Sequence, residues 1–322
     1  MEHYYKEVEI MPTLAQSYLF LPKFNYMRDV TIDNTQNTNT LTDYQVLVTL
    51  DTSSLIANGK MRSDCGDIRF YDSDGVTSLN YWLEGPCNST STRIWVKIPS
   101  IPASSKKIIY LFYGNSTLTS ASNGKTTFEA FDDFLTDTLA NYVQIDSGWS
   151  IDTTPPGYLK SPSSGQGFIG MTMSLSRAYA LRARMYMGTS DVGPGFIWGS
   201  AGGSESSVNG YIANYYVSTT YSNLRKYSSG SFTSLASLPT LSSGWYILEI
   251  RVTSTTIEAW RDTTRDASAS DTTFTTLSGI GFRQKSASTY AVDWWALRKY
   301  IPPEPTVTLG SERYIGRLPD TI

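Results

Sequence analysis

From residue 24 onward, apolar and polar positions alternate with a period of two in short runs broken by Gly, Pro, Asn and Ser. That period is the signature of strands with one face covered. In "TRIWVKIP" (92–99) the residues Ile94, Val96 and Ile98 share one face, and Arg93, Trp95 and Lys97 share the other. "YALRARMYM" (179–187) sets Leu181, Ala183, Met185 and Met187 against Arg182, Arg184 and Tyr186. "WYILEIRVTSTTIEAWRD" (245–262) reads as a hairpin whose first strand opposes Tyr246, Leu248, Ile250 and Val252 to Trp245, Ile247, Glu249 and Arg251. "KKIIYLFYG" (106–114) is apolar almost throughout and predicts a central strand covered on both sides. No helical period of useful length appears.

Composition agrees with this pattern. The chain is rich in Ser and Thr, holds 22 tyrosines, and has only 17% charged residues, which suits many short strands with hydroxylated outer faces. The fold class expected is therefore all-β. At 322 residues, more than one core is expected. The polar, turn-rich stretch 114–127 divides two strand-dense halves, predicting domains at 24–118 and 119–312. Residues 1–23 read as an N-terminal arm, and 313–322 as a C-terminal tail.

The net charge of -3 comes without a block of like charges. Nothing in it would grip a phosphate backbone, so nucleic acid is not an expected partner. No stretch has the apolar length to insert in a bilayer, and the first residues lack the pattern of an export signal. Few lysines, many hydroxyls and two sequons nevertheless suit an extracellular or virion surface.

Candidate chemistry is sparse. The single histidine is His3, so triads and histidine-bearing metal sites are nearly excluded. Glycoside hydrolysis needs two carboxylates flanking the scissile bond, and Glu249 and Glu258 sit on separate strands. No enzyme is expected. Cys65 and Cys87 flank the 66–84 segment, where a disulfide would stabilise by roughly 3 kcal/mol through loop closure; two buried thiols are the alternative. Asn88 and Asn115 begin glycosylation sequons, although Asn115 also suits a turn. No cofactor is required, but Asp72 and Asp74 in "YDSDG", with Asp132 and Asp133 in "FDDF", are oxygen donors of the kind Ca²⁺ takes; a capped turn explains "DSDG" as well. Sugars stack their C–H faces on Tyr and Trp and pair their hydroxyls with Asn and Arg. Trp198, Tyr211, Asn214, Tyr215, Asn223, Arg225 and Trp260 supply that mixture, unless the aromatics simply fill the core.

The stretches "LTDYQVLVTLD" (41–51), "GDIRFYDSDG" (66–75), "LNYWLEG" (79–85), "RIWVKIPSIP" (93–102) and "IIYLFYGN" (108–115) occur in an order that resembles a family of uncharacterised β-domains (DUF2341-like) of archaeal surface proteins, archaeal viruses and phages. In such proteins a concanavalin-A-like jelly roll often follows, opening with "FDDF" and closing with an aspartate-tryptophan strand. This chain has "FEAFDDF" (128–134) and "VDWWALRKYIPPEPTVTLGSE" (292–312). The resemblance implies two β-sandwich domains, the second a lectin or laminin-G type jelly roll with its first and last strands adjacent. Asp132 and Asp133 would then lie near Asp293, Arg298 and Lys299, with Trp294 and Trp295 on opposite faces. It further implies a virion or surface setting; with no catalytic constellation in the chain, the protein expected is non-enzymatic, and symmetric self-association fits. Its partners would be a host-surface glycan or glycoprotein and, through the arm, neighbouring subunits. Alternatives are a filament or S-layer-like subunit and a glycoside-processing enzyme.

Overall fold

The computed structural model describes residues 23–144, 148–162, 166–188, 191–198, 208–217, 221–285 and 291–316. The arm, apart from Lys23, and the tail beyond Gly316 lie outside them. Strands dominate throughout. Among the described residues two short α-helical segments interrupt them, Thr52–Ala57 and Gly124–Thr127, each begun by a side-chain cap in which Asp51 Oδ1 accepts from Ser54 N at 3.0 Å and Asn123 Oδ1 accepts from Thr126 N at 3.3 Å, and a 3₁₀ turn spans Leu139–Asn141.

The chain divides into two compact units, Met1–Phe128 with Pro303–Ile322, and Glu129–Pro302. This corrects the boundaries read from the sequence in two ways. The segment 119–128 stays with the first unit, where Gln45 Nε2 donates to the Thr127 carbonyl at 3.1 Å. The segment after Pro302 returns there too: Thr306–Leu309 pairs antiparallel with Tyr26–Asp33, and Arg313–Tyr314, placed in a tail by the sequence reading, pairs with Tyr26 and Met27.

In the first unit one sheet runs in the order Thr306–Leu309, Tyr26–Asp33, Lys106–Tyr113, Arg69–Tyr71, Ser78–Leu79. A second sheet orders Leu41–Leu50, Thr92–Ile101, Tyr81–Glu84. Ile94, Val96 and Ile98 are fully buried, as their alternation predicts, and Trp95 on the opposite face is buried as well. Lys106–Tyr113 is a central strand whose residues 109–113 are all buried. Cys65 and Cys87 are joined by a disulfide with Cα atoms 5.8 Å apart.

The second unit is a two-sheet jelly-roll sandwich. Its eight-stranded sheet runs Ser150–Asp152, Tyr158–Lys160, Ala291–Lys299, Tyr179–Met187, Gly244–Val252, Thr256–Arg261, Thr264–Ser270, with Ala130–Asp132 also paired to Ala291–Lys299. Its seven-stranded sheet runs Ser231–Ser237, Asn223–Ser228, Asn209–Asn214, Asp191–Trp198, Thr276–Lys285, Gln166–Ser176, Val143–Gln144. Leu181, Ala183, Met185, Leu248 and Ile250 from the first sheet share one core with Ile169, Tyr211, Ala213, Leu224, Ile280 and Phe282 from the second. The first and last strands of the unit do lie side by side, Phe131 opposite Ala296 and Asp132 opposite Trp295.

Candidate functional site

Strand alternation leaves the polar set of the eight-stranded sheet on its outer face. The register brings Arg182 opposite Glu249, Tyr186 opposite Trp245, and Arg184 opposite Trp294. Between Arg184 and Met185 the pairing with the last strand slips, because Arg184 faces Trp294 while Met185 faces Val292. Asp293 is the extra residue of this β-bulge. A bulge turns two successive side chains to one side of a sheet. Trp295 thus points inward, fully buried, donating its indole N–H to Tyr142 at 2.7 Å, while Asp293 and Trp294 both face outward. The two tryptophans point to opposite faces, as expected.

Two clusters occupy this face. In the first, Trp245 is 37% exposed and flanked by Tyr158, with ring centroids 5.6 Å apart, and by Tyr186, at 5.5 Å. The Arg184 guanidinium lies over the indole at 4.3 Å and forms an ion pair with Asp293 Oδ2. The Tyr186 hydroxyl meets Ser243 Oγ at 3.2 Å. Among the described residues no side chain engages the other oxygen of Asp293 or the remaining N–H groups of Arg184. Burial raises the Asp293 carboxyl above the ordinary aspartate range; Arg184 pulls it down, and Asp133 pushes it further up. Tyr158 is set in place by Gly157, whose φ is +82° and where a Cβ would stand 2.7 Å from the Asp133 carbonyl oxygen.

The second cluster is closed. Glu249 is fully buried and accepts from Arg182 Nη1 at 2.8 Å, Arg298 Nη2 at 2.8 Å and Arg251 Nε at 2.7 Å. Burial alone would raise its carboxyl, but the charges of Arg298, Arg251 and Arg182 outweigh that cost and hold it well below the usual glutamate range. Glu258 is engaged by Trp260 Nε1 at 2.9 Å, Arg265 Nη1 at 3.1 Å and the Tyr300 hydroxyl at 3.2 Å. The two glutamates weighed for hydrolysis therefore hold arginines and aromatic donors in place.

The residues expected to meet a sugar do not converge. Tyr211 and Tyr215 are corrected to the sandwich core, each fully buried with its hydroxyl on an aspartate, Asp271 at 2.6 Å and Asp266 at 3.0 Å. They share strand parity with Ala213, which fixes all three inward. Asn214 is fully buried and its Oδ1 accepts from Arg283 Nη1 at 3.2 Å. Asn223 and Arg225 do meet: Arg225 Nε donates to Asn223 Oδ1, and the guanidinium stacks over Phe232 at 4.3 Å. Trp260 belongs to the other sheet, with Arg251 stacked on it at 3.9 Å. Trp198 ends the strand Asp191–Trp198, and its side chain lies outside the described residues. What sequence reasoning missed is the group around Trp245, although both strand faces that build it were visible in the alternation.

The aspartates considered for Ca²⁺ serve the chain's own groups. Asp74 Oδ1 accepts from Val76 N and Thr77 N, both at 2.9 Å, and Asp72 Oδ1 pairs with Lys107 at 2.7 Å. Asp132 caps Phe134 N at 3.0 Å and accepts from the Tyr142 hydroxyl at 2.9 Å; Asp133 Oδ1 accepts from Leu135 N at 3.4 Å. Among the described residues, no group of three His, Cys, Asp or Glu side chains is placed to hold a metal ion. Of the expected pairing at the strand seam, Asp293 takes Arg184, while Arg298 takes Glu249. Asn115 Oδ1 accepts from Thr117 N at 3.0 Å and Thr117 Oγ1 at 2.7 Å, the turn its sequence suits, whereas Asn88 is exposed.

Residues 64–152 match a family model described as "Domain of unknown function (DUF2341)". A domain of that family is present. The matched segment starts later than the 24–118 expected and runs past Phe128 into the second unit. No curated protein matches the chain in sequence. Among solved structures, the chain is similar to the carbohydrate-binding module CBM66 from Bacillus subtilis, at 17% identity over 54% of this chain and 98% of that one, with a TM-score of 0.38. It is also similar to the Emp46p carbohydrate recognition domain, at 11% identity over 53% and 96%, TM-score 0.40. A third is a β-1,3-1,4-glucanase derived from a mouse hindgut metagenome, at 13% identity over 52% and 98%, TM-score 0.40.

Proposed function

We propose that the second unit binds carbohydrate on the outer face of its eight-stranded sheet, on the platform made by Trp245, Tyr158 and Tyr186, with Arg184 and Asp293 reading hydroxyls at its side. The observation that carries this reading is the half-exposed indole bracketed by two tyrosine rings and a salt-bridged guanidinium. A sugar ring offers apolar C–H groups to such a surface and hydroxyls to its rim. The reading assigns recognition without bond cleavage, since Glu249 and Glu258 are both committed to internal partners. Display at an extracellular or virion surface, against host glycans, is the setting we propose; the Cys65–Cys87 disulfide suits an oxidising compartment.

The test is affinity electrophoresis of the full chain through gels containing laminarin, levan, xylan, mannan, polygalacturonate or alginate. Retardation by at least one polysaccharide, lost in Trp245→Ala with an unchanged circular dichroism spectrum, is the result expected. Equal mobility in every gel, or a Trp245→Ala variant retarded like the parent, overturns the reading.

A further inference from the structure

Resting on the carbohydrate reading of the Trp245 platform, we infer that its ligand is an uncharged sugar with adjacent hydroxyls, gripped by Arg184 and Asp293 acting as one donor and acceptor pair.

Among the described residues, the contacts place few charges at the platform. Arg184 is the cation, and Asp293 already neutralises it. Asp133 adds a further negative charge whose field reaches Asp293. Lys160, on the neighbouring strand, is paired with Asp152 at 2.5 Å. The balance at the platform is therefore neutral to negative. An acidic sugar would meet an Arg184 whose charge Asp293 already balances and would stand beside the like charges of Asp293 and Asp133, while displacing Asp293 would leave a largely buried carboxylate without its partner; both arrangements are disfavoured.

The hydrogen-bonding capacity points the same way. Among the described residues, Asp293 uses Oδ2 on Arg184 and keeps its second oxygen as an acceptor, while Arg184 uses Nη1 and keeps donors on its other nitrogens. An acceptor and a donor fixed side by side match two neighbouring hydroxyls, one donating to the carboxylate and the next accepting from the guanidinium. Neither group can slide away. Asp293 is fixed by the bulge, and Arg184 is clamped between Asp293 and the indole face. The ring carrying those hydroxyls would lie on Trp245 and reach the hydroxyls of Tyr186 and Tyr158. Site groups held this way lose little freedom on binding, which favours selectivity.

Affinity electrophoresis decides this, with the neutral laminarin, levan, xylan and mannan set against polygalacturonate, alginate and dextran sulfate. The inference expects retardation in a neutral gel and none in the acidic gels. Mobility in the neutral gel should change less than about twofold between roughly 0.05 and 0.5 M NaCl, because no net charge is exchanged. Asp293→Asn leaves Arg184 uncompensated, so it should weaken neutral retardation by about tenfold and create retardation by polygalacturonate. Retardation of the parent protein by acidic polymers alone, abolished in Trp245→Ala, overturns the uncharged ligand and leaves the carbohydrate reading standing. Retardation in no gel overturns both. Neutral retardation unchanged in Asp293→Asn overturns the pairing of Arg184 and Asp293 as the grip.

Discussion

Replacing Glu249 with Gln tests what holds the outer face of the eight-stranded sheet in shape. The carboxylate is fully buried and receives three guanidinium groups, from Arg182, Arg251 and Arg298. The register explains how three can gather. Arg182 sits directly opposite Glu249, while Arg251 and Arg298 both lie opposite Ala180, whose methyl leaves room between them. Gln keeps the volume and one acceptor but removes the charge, leaving two buried cations, Arg182 and Arg298, and the partly buried Arg251 around a neutral amide. Breaking a buried ion pair by removing one partner costs about 3 to 5 kcal/mol. In a domain the size of Glu129–Pro302, each kcal/mol moves the melting temperature by about 2 to 4 °C. Differential scanning calorimetry should therefore show the second unit melting about 6 to 20 °C lower in the variant. The pH dependence carries its own sign. Glu249 titrates well below its ordinary value when folded, so its stabilising contribution is complete above the unfolded glutamate pKa and is lost as pH falls through the folded value. Parent and variant should converge on acidification and differ most near neutrality. A variant that melts within about 2 °C of the parent at neutral pH would show that the cluster is solvated and that the buried-charge argument is wrong.

Three further outcomes follow from the same geometry. Gly157→Ala sets a side chain against the Asp133 carbonyl at a positive φ, so it should displace Tyr158 and weaken polysaccharide retardation several-fold while the circular dichroism spectrum is kept. Reducing or replacing Cys65 and Cys87 opens a loop of 22 residues and should lower the stability of the first unit by about 3 kcal/mol in urea unfolding, with the second unit unaffected. Asp132→Asn removes the charge that the Tyr142 and Thr138 hydroxyls and the Phe134 amide donate to, and should cost about 1 to 3 kcal/mol by calorimetry.

Period-two alternation was enough to identify the strands Thr92–Ile101, Tyr179–Met187 and Gly244–Val252, because parity is a local property. It placed Ile94, Val96 and Ile98 in the core, and likewise Leu181, Ala183, Met185 and Met187. The return of Thr306–Leu309 to the first unit was not legible. Its partner, Tyr26–Asp33, lies far away in sequence, and a short exposed edge strand carries almost no apolar signal of its own. The tyrosine-rich stretch misled for a related reason. Tyr211 and Tyr215 are core residues whose hydroxyls find aspartates within the sandwich, and composition alone does not separate a tyrosine anchored that way from one that stacks on a sugar.

The Trp245 platform shows where parity stops being sufficient. Trp245 and Tyr186 were each visible as the odd aromatic on a polar strand face, and that mismatch is the signal that points to a site. What parity does not contain is which strands are neighbours, and here four of them contribute: Tyr158, Asp293, Arg184 with Tyr186, and Trp245 stand on consecutive strands of one sheet. Nor does it contain the bulge. Strict alternation across "VDWWAL" would leave Asp293 and Trp294 on opposite faces, sending one of them into the core; the slipped pairing turns both outward and lets Trp295 take the buried position. One inserted residue in the last strand thus supplies the carboxylate that fixes Arg184 beside the indole. The same residue is the one on which the choice between a neutral and an acidic ligand depends.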